Sequence, residues 1–350
     1  MKTLRRLIKD QKTRVALALA AGVCLLVVWL SVVDLGEMTE RLAAIDVRYL
    51  LLFTILWTSA AFLRSLRWRT ILGKIQHVPV GESFALFMSC MFVNFLIPLR
   101  AGEAVASLVL KRNHGVAVAR SLPTQVLDRL FDLTPIVPAL LLALLMAGPG
   151  ADRPGLHTLM TILAFVATVF VLLGGIVFAS VARPAAAAAI IRAVTRPLPG
   201  AIRARVQSFA VLCAEGLAAL RLGGATIVLL IGMTFLALAL DAASLGVIFL
   251  GLGVPIAPAI LLTGYTFLFL TSALPRPPGL VGSHEVLFLL IFSLLLGVDK
   301  NLASAAVVVG HLMLALLLTL TGAISLFSLG IRSASDVRDH LPTVTTPGAS

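Results

Sequence analysis

The chain has 350 residues, 59% hydrophobic and 13% charged, with mean hydropathy +1.05. A soluble domain carries about 25% charged residues, so this composition excludes one and points to an all-α polytopic membrane protein. The formal net charge is +12, but the basic residues lie in short segments between apolar runs. That pattern reads as positive-inside loops facing anionic lipid, and no nucleic-acid partner is expected.

Residues 1–14 carry Lys2, Arg5, Arg6, Lys9, Lys12 and Arg14 against Asp10. An apolar run over 15–33 follows and leads into Asp34 and Glu37 without a small-residue cleavage site. It reads as an uncleaved first helix with a basic cytoplasmic N-terminus. The loop 34–48 has four acids and two basic residues, which suits the opposite side. The next apolar run, 49–63, runs into Arg64, Arg67, Trp68 and Arg69. Arg64 and Arg67 are three apart and share a helix face. One reading is plain anchoring at the headgroups, with Trp68 at the interface. The other is a pair of guanidiniums gripping a lipid phosphate, which their planar forks suit.

The apolar run 83–99 ends in Asn94-Phe-Leu-Ile-Pro98-Leu-Arg100-Ala-Gly102-Glu103. Proline and glycine break a helix and free backbone groups that lipid cannot satisfy. A hairpin that turns back near 98–102 keeps Lys111 and Arg112 on the side where it entered, so a re-entrant element is expected within 83–130. Asp128 and Asp132 then lie one turn apart on a helix face, with Arg129 alongside. Two readings stand open: an ion pair within or between helices, or a cluster that neutralises Arg100 or serves a proton or headgroup pathway.

Further apolar runs cover 133–147 and 157–182. The segment 183–222 holds six arginines against Glu215 and resembles an amphipathic helix in the cytoplasmic interface. The run 225–250 contains Asp241, which needs a partner inside a membrane; Arg276 and His311 are candidates. A second interrupted run follows, with Pro275, Arg276, Gly279, Gly282, His284 and Glu285 at its break. The run 302–329 is the last span, and 331–350 is a polar tail expected to be disordered. The sum is about six full spans and two interrupted hairpins of opposite orientation, as an inverted repeat would give. Cys24, Cys90 and Cys213 stand singly, so neither a disulfide framework nor a metal site is suggested.

The stretch from Asn94 to Glu103, the Asp128–Asp132 cluster, and Pro275, Gly279, Gly282 and Glu285, in that order, resemble the lysylphosphatidylglycerol synthase transmembrane, or flippase-like, family. Arg64, Arg67 and Trp68 resemble that family's arginine-rich motif after its second helix. The resemblance spans most of 15–330. Asp128 stands where the family often has glutamate, and Arg276 with Pro277 and Pro278 departs from its commoner second motif. No aminoacyl-transferase domain follows the last helix, so a stand-alone member is expected.

The resemblance implies movement of a lipid between leaflets of a bacterial inner membrane, with both termini cytoplasmic. Candidate lipids are an anionic phospholipid, an aminoacyl-lipid or a hopanoid-like lipid, supplied by a separate synthase. The expected binding residues are Arg64, Arg67, Asn94, Pro98, Arg100, Gly102, Glu103, Asp128, Arg129, Asp132, Pro275, Arg276, Gly279, Gly282 and Glu285. Arg100 and Arg276 would hold a phosphate, with Glu103 and Glu285 holding the arginines. No phosphate-binding GxxxxGK[ST] loop is present, no cofactor is expected, and the chain is expected not to be an enzyme. The alternatives are an intramembrane lipid-modifying enzyme, or a scaffold for an envelope-lipid synthase.

Overall fold

A computed structural model describes residues 18–97, 101–147, 222–271 and 277–331, with isolated positions between 161 and 207. Every regular element among the described residues is helical. The expected N-terminus 1–14, most of the expected span 157–182, most of the amphipathic segment 183–222 and the tail from 332 lie outside them, as do Pro98, Arg100, Pro275 and Arg276.

The first helix, α1 (Ala18–Val32), is bent by 91° into α2 (Leu35–Ala43). Asp34 starts α2, its carboxylate accepting from the backbone N–H groups of Gly36 and Glu37. This is the capping that acids supply at helix N-termini. Asp46 caps α3 (Val47–Leu72) in the same way. α3 is 26 residues long, so it does not end at the arginines as the span 49–63 implied; it carries Arg64, Arg67 and Trp68 well inside its length.

α4 (Val80–Leu96) stops at Ile97, whose φ −113° and ψ 120° are extended. The ring of Pro98 forbids the helical conformation to the residue before it. α5 (Gly102–His114) returns the chain, and Glu82 at the start of α4 meets His114 at the end of α5 at 2.9 Å. The two helices thus form a hairpin closed at its base. With 17 and 13 residues its arms are about 26 and 20 Å long, short of the roughly 30 Å hydrocarbon core. Glu82→Ala is a mild change: the pair is partly exposed, and such pairs contribute under about 1 kcal/mol. Denaturant unfolding in detergent should show no larger shift.

α6 (Val118–Asp132) and α7 (Ile136–Ala147) follow. α8 (Gly224–Gly251) runs antiparallel to α3, with Gly251 against Tyr49 near one end and Thr234 bonded to Arg67 toward the other. A second pair of short arms follows: α9 (Pro258–Leu270), then a 3-10 turn (Pro278–Leu280) and α10 (Ser283–Leu289), which continues as a π-helical turn (Leu290–Leu295). α11 (Lys300–Ser328) closes the bundle. Its first turn meets α1 and α2 through Asn301, which binds Asp34 N at 3.2 Å and Glu37. Its last turn meets α5, where Arg112 bonds to the carbonyls of Leu329 and Gly330. The base of the first hairpin and the base of the second therefore lie at opposite ends of α11.

Three helices, α3, α8 and α11, are long and apolar enough to cross a membrane, with α1 and α2 a fourth if the bent pair is one span. The expected count of six full spans is not reached among the described residues. A core built on Phe249, Phe288 and Phe292 holds the second hairpin, with Phe288 and Phe292 stacked at 4.4 Å. Trp68, Leu72, Leu86, Cys90, Ala106 and Leu110 form a separate core around the first.

Candidate functional site

Arg67 is completely buried. Its Nε donates to Asp128 Oδ1 at 2.8 Å, one terminal nitrogen to Asp132 Oδ1 at 2.5 Å, and the other to Thr234 Oγ1 at 2.8 Å. A guanidinium fork is suited to such multiple binding. The one-turn spacing of Asp128 and Asp132 on α6 puts both carboxylates on the face that meets α3. The reading of Arg64 and Arg67 as headgroup anchors is thus corrected: both are interior, because their charges are met by acids from other helices. Trp68 is corrected likewise. It is buried, and its Nε1 donates to Thr124 Oγ1 at 3.2 Å.

Arg64 pairs with Asp241 of α8. This corrects one candidate partner of Asp241, His311, which binds Glu285 instead; the other, Arg276, lies outside the described residues. The Arg64 guanidinium lies 5.3 Å from the centre of the Phe269 ring, within cation–π range, and Tyr265 of α9 sits beside the ion pair. Tyr265 carried no signal in the sequence. Thr234 could have been found from its seven-residue spacing to Asp241, which puts both on one face of α8.

The network continues toward the tip of the first hairpin. Arg129 donates to Asp132 Oδ2 at 3.1 Å, and its Nε is 3.7 Å from Glu103 Oε1. Glu103 Oε2 accepts from Asn94 at 3.1 Å, and Asn94 Oδ1 accepts the backbone N–H of Gly102 at 2.8 Å. Gln125 donates to the Glu103 carbonyl and to Ser107 Oγ. Gly102 is required here: a Cβ would strike the carbonyl of Cys90. The structure therefore joins Asn94, Gly102, Glu103, Asp128, Arg129, Asp132, Arg64 and Arg67 in one region.

Among these residues three guanidiniums, Arg64, Arg67 and Arg129, face four carboxylates, Asp128, Asp132, Asp241 and Glu103. Exposure is greatest at Arg129, whose side chain is 27% exposed, against 16% for Glu103, 13% for Arg64 and 0% for Arg67. A small crevice lined by Trp68, Phe87, Cys90, Gln125, Asp128 and Arg129 opens there.

The break in the second hairpin forms a separate group. His311 of α11 binds Glu285 through Nδ1 at 2.5 Å and the Gly279 carbonyl through Nε2 at 2.8 Å. Glu285 was expected to hold an arginine; its partner among the described residues is this histidine. Gly279 and Gly282 have φ +66° and +73°, and Leu280 has φ +60°, a conformation uncommon for a residue with a Cβ. The end of α4 packs against Pro278–Leu280, and Phe95 presents its ring edge-on to His311 at 6.4 Å. The two hairpins thus meet break to break beside the middle of α11.

Short helical hairpins that enter a bundle from opposite ends, with charges concentrated where they stop, define a polytopic membrane protein of the discontinuous-helix kind. The chain belongs to the family of the lysylphosphatidylglycerol synthase TM region, whose model matches residues 15–322. It is also 26% identical over 368 aligned positions to a protein of Haloferax volcanii named glycosyltransferase AglD, covering 92% of this chain. The chain spans 57% of that relative's length. No solved structure matches significantly. The relative's name corrects one expectation. The chain was expected not to be an enzyme, and a protein named as an enzyme stands among its relatives.

Proposed function

We infer that this chain moves a phosphate-bearing lipid between leaflets, the headgroup passing along the meeting line of the two hairpins while the acyl chains stay in the bilayer. One observation carries the reading: the buried charge network is most exposed where Arg129 of α6 meets Glu103, at the tip of a hairpin that stops inside the bundle. A headgroup charge is expensive in hydrocarbon. A partly exposed guanidinium, already oriented by Asp132, offers a phosphate charge-assisted hydrogen bonds in its place. Glu103 suits a headgroup that also carries an amine, such as an aminoacyl-lipid; a plain anionic phospholipid or a hopanoid-like lipid would use the arginine alone. Arg100 and Arg276 are proposed to join this path from their places in the sequence.

The two hairpins are read as the halves of an inverted repeat. Lys74, Lys111 and Arg112 gather at one end of the bundle, whereas Arg41 and Arg48 at the other are paired with Glu37 and Asp46. The positive-inside rule supports cytoplasmic termini in a bacterial inner membrane, with a separate synthase supplying the lipid.

The test uses purified protein in liposomes with headgroup-labelled lipids and an impermeant quencher. Arg129→Gln and Glu103→Gln should slow exchange about 10- to 100-fold, the worth of a charge-assisted bond of about 1.5–3 kcal/mol, while both variants remain monodisperse. Exchange unaffected by either change sinks the reading. The name of the Haloferax relative favours a second one, in which the same groove presents a lipid phosphate to glycosyl transfer. Incubation with an activated, labelled sugar and extraction of the lipids separates the two: label in the lipid fraction supports the second.

A further inference from the structure

Both ring nitrogens of His311 face acceptors, the Glu285 carboxylate and the Gly279 carbonyl. A neutral imidazole has one N–H, so with an ionised carboxylate it can satisfy only one of them. Both bonds form only when the pair holds one more proton. That proton can sit on the ring, which then donates twice. It can equally sit on the carboxyl, which then donates to Nδ1 while Nε2–H donates to Gly279. The two descriptions contain the same proton.

We propose that Glu285 and His311 form a single-proton site that latches α11 to the break of the second hairpin. With the proton bound, α11 is tied to the Gly279 turn and to α10 together. When it leaves to water, the remaining N–H holds either Glu285 or Gly279, and a lone pair of the ring faces the other at hydrogen-bond distance. One tie must open. The turn carries strain at Leu280, whose positive φ is uncommon for a residue with a Cβ, and α10 passes into a π-helical turn within two helical turns of Glu285. Such π-turns recur at functional sites.

Among the described residues, the titratable groups facing His311 are Glu285 and His284, whose ring lies 5.2 Å from that of His311. Both come from α10, while α4 contributes the Phe95 edge. The end of α4 also packs on the turn that the latch holds. Release would therefore loosen the place where the two hairpins touch. The site rests on this geometry; its use in lipid movement rests on the function inferred above.

Spin labels at Val281→Cys and Leu312→Cys, both exposed positions, report the separation of turn and helix by pulsed electron resonance. Cys24, Cys90 and Cys213 are serine in this background, and the protein is held in lipid nanodiscs. Between about pH 5 and about pH 9, the range where a histidine site titrates, a second, longer distance should grow in. A single proton limits the change in the ratio of the two populations to about tenfold per pH unit. His311→Gln should make the distribution independent of pH. Glu285→Gln should hold the latch closed throughout, because an amide N–H can donate to a neutral Nδ1. His284→Gln should leave the transition in place.

A distribution that does not change with pH in the parent protein overturns the proposal. So does a transition that survives His311→Gln, or one that His284→Gln removes. The two variants at Glu285 and His311 keep the test open if either fails to fold. Lipid exchange measured on the same protein separates the readings: exchange without the distance change removes the latch and keeps the transporter, and the reverse removes the transporter.

Discussion

Arg67→Ala is expected to lower stability by about 3–5 kcal/mol, the cost of stripping the partner from a buried ion pair. The number follows from the site. Asp128 and Asp132 are both buried, and both bond to the same guanidinium. Alanine leaves two carboxylates side by side, with Arg129 in contact with one of them. It also removes a fully buried stem. Arg67→Lys keeps the charge but supplies a single point where three acceptors are now met in different directions, so it should fall between alanine and the parent. The triple variant Arg67→Met, Asp128→Asn, Asp132→Asn should recover part of the loss, since replacing charged partners together costs less than removing one, although Arg129 is then left with Glu103 alone. Unfolding by denaturant in detergent measures all three. A small loss for Arg67→Ala would show that the two aspartates find other partners.

The same comparison bears on function. Arg67 fixes α6 against α3 and α8, and α6 in turn carries Arg129 to the hairpin tip. If the triple variant folds but no longer exchanges lipid, the charges serve more than stability. Recovery of both would make Arg67 a structural strut and leave Arg129 and Glu103 as the working end.

Part of this arrangement was legible in the sequence. Asp128, Arg129 and Asp132 announce one charged helix face by their spacing. Pro98 announces the end of α4, because its ring acts on Ile97 within the same peptide. The order of these motifs was enough to indicate the family to which the chain belongs. What could not be read is who meets whom. Arg64 and Arg67 follow an apolar run that ends at Leu63, and nothing local tells a snorkelling arginine from a buried one. The difference is made by Asp241, Asp128 and Asp132, far along the chain and on other helices. His311 and Glu285 were visible as residues, but their contact depends on α11 passing the break at that height. The count of six full spans also rested on the runs 133–147 and 157–182: α7 covers the first with 12 described residues, and most of the second lies outside the described residues.

Gly282→Ala should be the second most costly change, at about 2–5 kcal/mol. Two independent effects add. At φ +73° and ψ −42°, outside the small left-handed region open to L-residues, an alanine pays at least the roughly 1–2 kcal/mol of a left-handed backbone. Its Cβ would also run into the carbonyl oxygen of Gly22 and lie 2.7 Å from the nitrogen of Leu26. Backbone of α1 cannot swing aside as a side chain can, and overpacking of this kind costs about 1–3 kcal/mol. Gly279→Ala supplies the control. Gly279 has a similar φ of +66°, yet a Cβ there meets its nearest neighbour at 3.6 Å, an ordinary contact. It should show the backbone cost without the collision. The excess of Gly282→Ala over Gly279→Ala combines the collision with α1 and the costlier ψ of −42° at Gly282 against 8° at Gly279, and the Trp29 readout separates the two. α1 is held by one stripe, with Gly22, Trp29 and Val33 buried and most other positions exposed. The collision should lift it away and expose Trp29, shifting its emission to the red in a background where Trp57 and Trp68 are phenylalanine. Equal losses for the two glycines, with unchanged Trp29 emission, would mean that α1 yields freely and does not brace the second hairpin.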